Sequence, residues 1–94
     1  LGVKFLNPNS ILIRDTTCVE EILEGEIVLY SAKNSQAIYL NNTASLIWQL
    51  IDNKHTVDDI MKLLSDAYPE EATIQSDICQ TLDILVQYGV VLYG

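Results

Sequence analysis

The sequence predicts one small α+β domain, a β-hairpin that runs into three helices, and three observations predict it. Up to Leu40 the apolar residues fall in short β-rich runs, whereas beyond Asn41 they recur at helical spacing. The change occurs within one stretch, Gln36 to Leu64, where Ala37-Ile38-Tyr39-Leu40 leads into a helix carrying Trp48 and then into a second helix. The 94 residues are 49% hydrophobic, which suits residues 1–94 to a single modest core.

Taken in order, Asn7-Pro8-Asn9-Ser10 is a turn cluster and Ile11-Leu12-Ile13-Arg14 is short and β-rich. From Asp15 to Glu24 no period holds, because Val19, Ile22 and Leu23 suit a helical turn while Glu20, Glu21 and Glu24 suit a solvated loop. This segment is expected to be irregular, with at most a turn of helix. Ile27-Val28-Leu29-Tyr30 reads as a strand, Lys33-Asn34-Ser35 as a turn, and Gln36 to Leu40 as the returning strand. Both strands are apolar on both faces: Ile27, Leu29, Ile38 and Leu40 on one, Val28, Tyr30, Ala37 and Tyr39 on the other. One face must pack on the helices. The second is either covered by Ile11 to Ile13 and the N-terminal arm, or left partly open for a partner.

Asn41-Asn42-Thr43 offers short polar side chains to cap the first helix, expected over Thr43 to Ile51. Ala44, Ile47, Trp48 and Ile51 form its apolar stripe, with Trp48 as core anchor and its indole N–H in need of an acceptor. Thr56-Val57-Asp58-Asp59 resembles a capping box with Asp in place of Glu, and opens a second helix that Pro69 ends. Val57, Ile60, Met61, Leu64 and Ala67 are its buried stripe. The third helix spans about Ile74 to Tyr88 and stops at Gly89.

Charge and composition exclude several functions. Thirteen acidic residues against five basic ones give −8, so phosphate backbones and anionic lipid would both be repelled. No run is long enough to span a bilayer and the start lacks a signal-peptide layout, which predicts a cytoplasmic protein that binds neither nucleic acid nor membrane. Cys18 and Cys79 lack metal-ligand spacing and read as free thiols in a reducing compartment. His55 has no second histidine or nucleophile nearby. Asp58, Asp59, Glu70 and Glu71 read as a helix cap and a solvated loop rather than an acid/base pair or metal site. With no phosphate loop, zinc pattern or nucleophile motif, no catalysis, cofactor or metal is expected.

The third helix is the informative one. Ile74, Ile78, Leu82 and Leu85 form the centre of its apolar face, with Cys79 and Val86 on one shoulder. The other shoulder carries Asp77, Thr81, Ile84 and Tyr88, an acid, a hydroxyl, an aliphatic and an aromatic. Such a row is either the edge of the core or one wall of a groove whose other wall is the 36–40 strand.

The spaced residues Glu26-Ile27-Val28-Leu29, Ile38-Tyr39-Leu40-Asn41, Thr43-Ala44, Ile47-Trp48, Leu50, Thr56-Val57, Ile60, Leu64, Tyr68, Asp77-Ile78, Leu85 and Gly89-Val90-Val91 resemble the PqqD-like proteins. These are named for pyrroloquinoline quinone biosynthesis, and their domain is also called the RiPP recognition element. The resemblance covers about residues 26–91. It implies a winged-helix-like α+β fold, a three-stranded antiparallel sheet followed by three helices, without catalysis of its own. It further implies a partner: the leader segment of a ribosomally made precursor peptide, docked as an added strand beside the third helix and presented to a maturation enzyme such as a leader protease, cyclase or radical-SAM enzyme. Carried onto this chain, the docking residues are Gln36, Ala37, Ile38, Tyr39 and Leu40 with Asp77, Thr81, Ile84, Leu85 and Tyr88, the choice of helix shoulder resting on the wheel above. Two alternatives compete. A nucleic-acid-binding winged helix would need a basic third helix, yet residues 74–88 contain no Lys or Arg. A structural subunit of a larger biosynthetic enzyme differs in that the isolated domain would bind no precursor peptide.

Overall fold

Glu24 and Gly25 take φ values of 53° and 83°, the left-handed pair of a two-residue primed turn whose twist matches that of the strands it joins. In the computed structural model, which describes residues 9–32 and 35–93, this turn connects β2 (Val19–Leu23) to β3 (Glu26–Ser31). β4 (Gln36–Leu40) returns along the far side of β3, giving an antiparallel sheet of order β2-β3-β4. Three helices follow: α1 (Asn42–Leu50), α2 (Val57–Ala67) and α3 (Ile74–Gln87). A second, two-stranded sheet pairs β1 (Leu12–Arg14) with β5 (Val91–Tyr93).

The expected α+β order therefore holds, with three local corrections. Residues 19–23 are a strand, not an irregular segment. Every residue of β2 is exposed, so no buried face imprints a period of two, and the ladder to β3 rather than burial holds it extended. Ile11 to Ile13 do not cover the outer face of the hairpin. Leu12 enters the core, Ile13 pairs with Leu92, and Ile11 bridges Thr56. β5 itself was not anticipated, because three residues are too short to carry a pattern. Lys33 and Asn34 of the expected turn, and Asn7 and Pro8 of the expected turn cluster, lie outside the described residues, as does the arm before them.

The helix ends follow their local chemistry. The Asn41 side chain accepts the Ala44 N–H at 2.8 Å, starting α1 one residue before the expected Thr43. In α2 the capping box is complete: Thr56 Oγ1 accepts the Asp59 N–H at 3.1 Å and Asp59 Oδ2 accepts the Thr56 N–H at 3.0 Å. The bond from the Thr56 N–H first, then the Thr56 hydroxyl, holds the Asp59 carboxyl below its ordinary pKa. Thr56→Ala is expected to destabilise the protein by about 1 kcal/mol in urea unfolding. After α3 the Gly89 N–H reaches the Val86 carbonyl and the Val90 N–H the Leu85 carbonyl, with Gly89 at φ 76°. This Schellman pair turns the chain back so that Val90 and Val91 are buried.

The core lies between the helix-facing side of the three-stranded sheet and the helices. Ile27, Leu29, Ile38 and Leu40 meet Ala44, Ile47, Trp48, Ile60, Leu64 and the α3 stripe Ile74, Ile78, Leu82 and Leu85. On the outer side only Val28 is buried, while Tyr30, Ala37 and Tyr39 are exposed. Among the described residues no helix is long and apolar enough to cross a membrane.

Candidate functional site

The tight turn at Glu24-Gly25 fixes which backbone groups of the sheet are free. Its flanking pair, Leu23 and Glu26, is the hydrogen-bonded pair of a two-residue hairpin, and such pairs alternate along an antiparallel ladder. Glu26, Val28 and Tyr30 therefore spend their N–H and C=O groups on β2. Ile27, Leu29 and Ser31 spend theirs on β4, opposite Leu40, Ile38 and Gln36. What remains on β4 points away from the sheet: the N–H and C=O of Ala37 and Tyr39. Among the described residues β4 pairs only with β3, so these four groups line an edge that is open there. The side chains of Ile38 and Leu40 turn under the helices, and that of Tyr39, 76% exposed, stands on the outer face.

α3 runs in the opposite direction to β4, and its two ends lie near the two ends of that strand. At one end Ser31 Oγ, whose residue pairs with Gln36, donates to the Tyr88 carbonyl at 3.1 Å. At the other, a cavity of about 310 Å³ joins Ile74 and Asp77 of α3 to Asn42 and Thr43, just past the end of β4. Between its ends α3 packs chiefly on α1, α2 and β5. The predicted residues divide accordingly. Ile84 is 46% exposed, and Asp77, Thr81 and Tyr88 are half-buried. Leu85 is core at 1% exposure and offers no surface, which follows from its position at the centre of the apolar stripe. Thr73 Oγ1 donates to Asp77 Oδ2 at 3.3 Å, fixing the carboxylate at the first turn of α3.

The model of the family described as coenzyme PQQ synthesis protein D (PqqD) matches residues 26–91. The chain belongs to the PqqD family. The chain is similar to the PqqA binding protein of Klebsiella pneumoniae (strain 342), 29% identical over 68 residues that cover 72% of this chain and 71% of the relative. The PqqA binding protein of Klebsiella pneumoniae gives the same figures. No solved structure matches the chain.

The matched region of the PqqD family opens at β3, reaches β5, and so includes β4 and α3. Two of the titratable residues outside the groove, Asp52 and His55, are partnered with each other. Asp52 Oδ1 accepts from His55 Nδ1 at 2.8 Å and from the backbone N–H groups of Lys54 and His55, which together lower the Asp52 pKa to about 2. This closes the loop before α2. The loop is in turn pinned to the segment around β1, because the His55 carbonyl accepts the Leu12 N–H and the Ser10 carbonyl accepts the Val57 N–H. Cys18 and Cys79 are both unbridged, and burial first, with Asp15 next, pushes the Cys18 thiol up, away from a reactive thiolate. Where the helices meet, the structure adds side chains that the sequence reading left as stripe or loop: Leu46, Leu64, Tyr68 and Glu71 share the cavity with Asp77. Periodicity reports only which face of each helix is buried, so it carries no signal for where three helix ends converge.

Proposed function

We propose that this chain is a non-catalytic adaptor. It binds the leader segment of a ribosomally synthesised precursor peptide by adding it as a strand to β4, beside α3, and presents that peptide to a maturation enzyme. The observation that carries this reading is the open β4 edge, with four outward backbone groups on Ala37 and Tyr39, and with the two ends of α3 lying near the two ends of the strand. Membership of the PqqD family and similarity to proteins named for binding PqqA support it.

An incoming strand would alternate. Residues opposite Gln36, Ile38 and Leu40 would turn their side chains toward Asp77, Thr81, Ile84 and Tyr88, and those opposite Ala37 and Tyr39 would lie on the outer face. Four backbone bonds at about 0.5–1.5 kcal/mol net each do not offset ordering a disordered segment at about 1–2 kcal/mol per residue. Side chains must supply the surplus, and two or three apolar ones buried against Ile84, Tyr88 and the strand would contribute about 1.5–3 kcal/mol each.

Calorimetric titration with a synthetic precursor leader peptide tests the reading. Ile84→Asp is expected to abolish binding with helical content unchanged, since Ile84 is half-exposed and outside the core. Full-strength binding by this variant would remove Ile84 from the groove.

A further inference from the structure

The cavity beyond Leu40 extends the groove and differs from it in character. Its lining includes three apolar side chains, Leu46, Leu64 and Ile74, together with Tyr68. Two carboxylates, Glu71 and Asp77, share it, and its lining contains no cation. The N-terminal ends of α1 and α3 also approach it, each worth about half a positive charge, so together they offset about one of the two negative charges. Asp77 sits in the first turn of α3 and accepts from Thr73, which accounts for that carboxylate locally. Glu71 has no such use: among the described residues its carboxylate makes no hydrogen bond or ion pair. The excess charge thus belongs to Glu71, on a chain whose net charge is already −8.

We infer that this cavity is a second recognition site for the docked peptide, taking a lysine or arginine side chain that follows the strand-pairing segment. This rests on the docking reading above. The occupant follows from the lining: an aliphatic stem lies on Leu46, Leu64 and Ile74 while its charged head stays at the mouth against Glu71 and Asp77. An acidic side chain would meet both carboxylates, and a purely apolar one would leave Glu71 unused. A strand paired along β4 would run on toward this cavity, because Asn42 and Thr43, which line it, follow Leu40 by two and three residues. The site would therefore fix the register of the peptide, which edge pairing alone leaves free to slip.

The test is selection of displayed random peptides of about twelve residues, about 40 Å when extended, on the full chain, run in parallel with Tyr39→Pro, Glu71→Gln and Glu71→Lys. Tyr39→Pro blocks the edge, and Glu71 is exposed, so its replacements leave the core untouched. The wild-type pool is expected to depend on an intact Tyr39 and to carry Lys or Arg at one fixed position. Glu71→Gln should weaken its consensus peptide about tenfold, and Glu71→Lys should erase the basic preference. Edge-dependent peptides without a basic position, or with one indifferent to Glu71→Lys, would overturn the cavity assignment and leave strand docking standing. An unenriched pool, or one indifferent to Tyr39→Pro, would overturn strand docking and the cavity site with it.

Discussion

Tyr39→Pro is expected to weaken precursor-peptide binding by about 100-fold while leaving the fold intact. Tyr39 directs its N–H outward from β4, so proline removes no bond of the β3–β4 ladder. Its side chain is 76% exposed, and the strand backbone is already extended, so the cost to stability should stay within about 1 kcal/mol. For an added strand the change is severe, since it loses one of four backbone bonds and meets the proline ring where its own backbone must approach. Ile38→Pro makes the contrast. Ile38 directs its N–H inward to Leu29 and its side chain is 8% exposed, so that variant should unfold. Calorimetric titration and far-UV circular dichroism on the pair check both claims. If Tyr39→Pro binds as wild type does, the peptide does not pair with this edge. If Tyr39→Pro unfolds and Ile38→Pro does not, the bonding phase of β4 is the reverse of that assigned.

What the sequence made legible was what burial writes into it. The α3 stripe of Ile74, Ile78, Leu82 and Leu85, the two faces of the β3–β4 hairpin and the Thr56–Asp59 box could all be read because each imposes a period or a fixed spacing. β2 was hidden for the opposite reason. Its five residues bury nothing, and its one local signal, Gly25 after Glu24, is modest beside three glutamates that suggest a loop. The groove was half legible. The wheel singles out the Asp77, Thr81, Ile84 and Tyr88 shoulder, but that α3 lies antiparallel beside β4 depends on contacts distant in sequence, such as Ser31 to Tyr88. The same holds for the cavity, which draws on three helix ends. Trp48 was expected to need an acceptor for its indole N–H, yet Glu20, 28 positions earlier in an unassigned segment, could not be named.

That acceptor makes Trp48 the point at which the N-terminal strands are tied to the helices, and Trp48→Ala should be the most destabilising side-chain truncation considered. The ring is 2% exposed, its Nε1–H donates to Glu20 Oε2 at 2.9 Å, and the Arg14 guanidinium lies 4.2 Å from its centroid. Arg14 also donates to the Trp48 carbonyl at 2.6 Å, so β1, β2 and α1 meet at one residue. Removing the indole leaves a cavity that these neighbours cannot fill, a loss of about 3–5 kcal/mol where a domain of this size has about 5–15 kcal/mol in total. Trp48→Phe keeps most of the ring and loses the donor, and should cost about 1–2 kcal/mol. Urea unfolding of the two variants separates packing from hydrogen bonding; near-equal midpoints would mean that the Glu20 bond, not the buried ring, holds the sheet to the helices. Because Trp48 is a buried core residue and not one of the groups proposed to meet the peptide, any loss of peptide affinity in Trp48→Ala should track the folded fraction, unlike the loss in Tyr39→Pro.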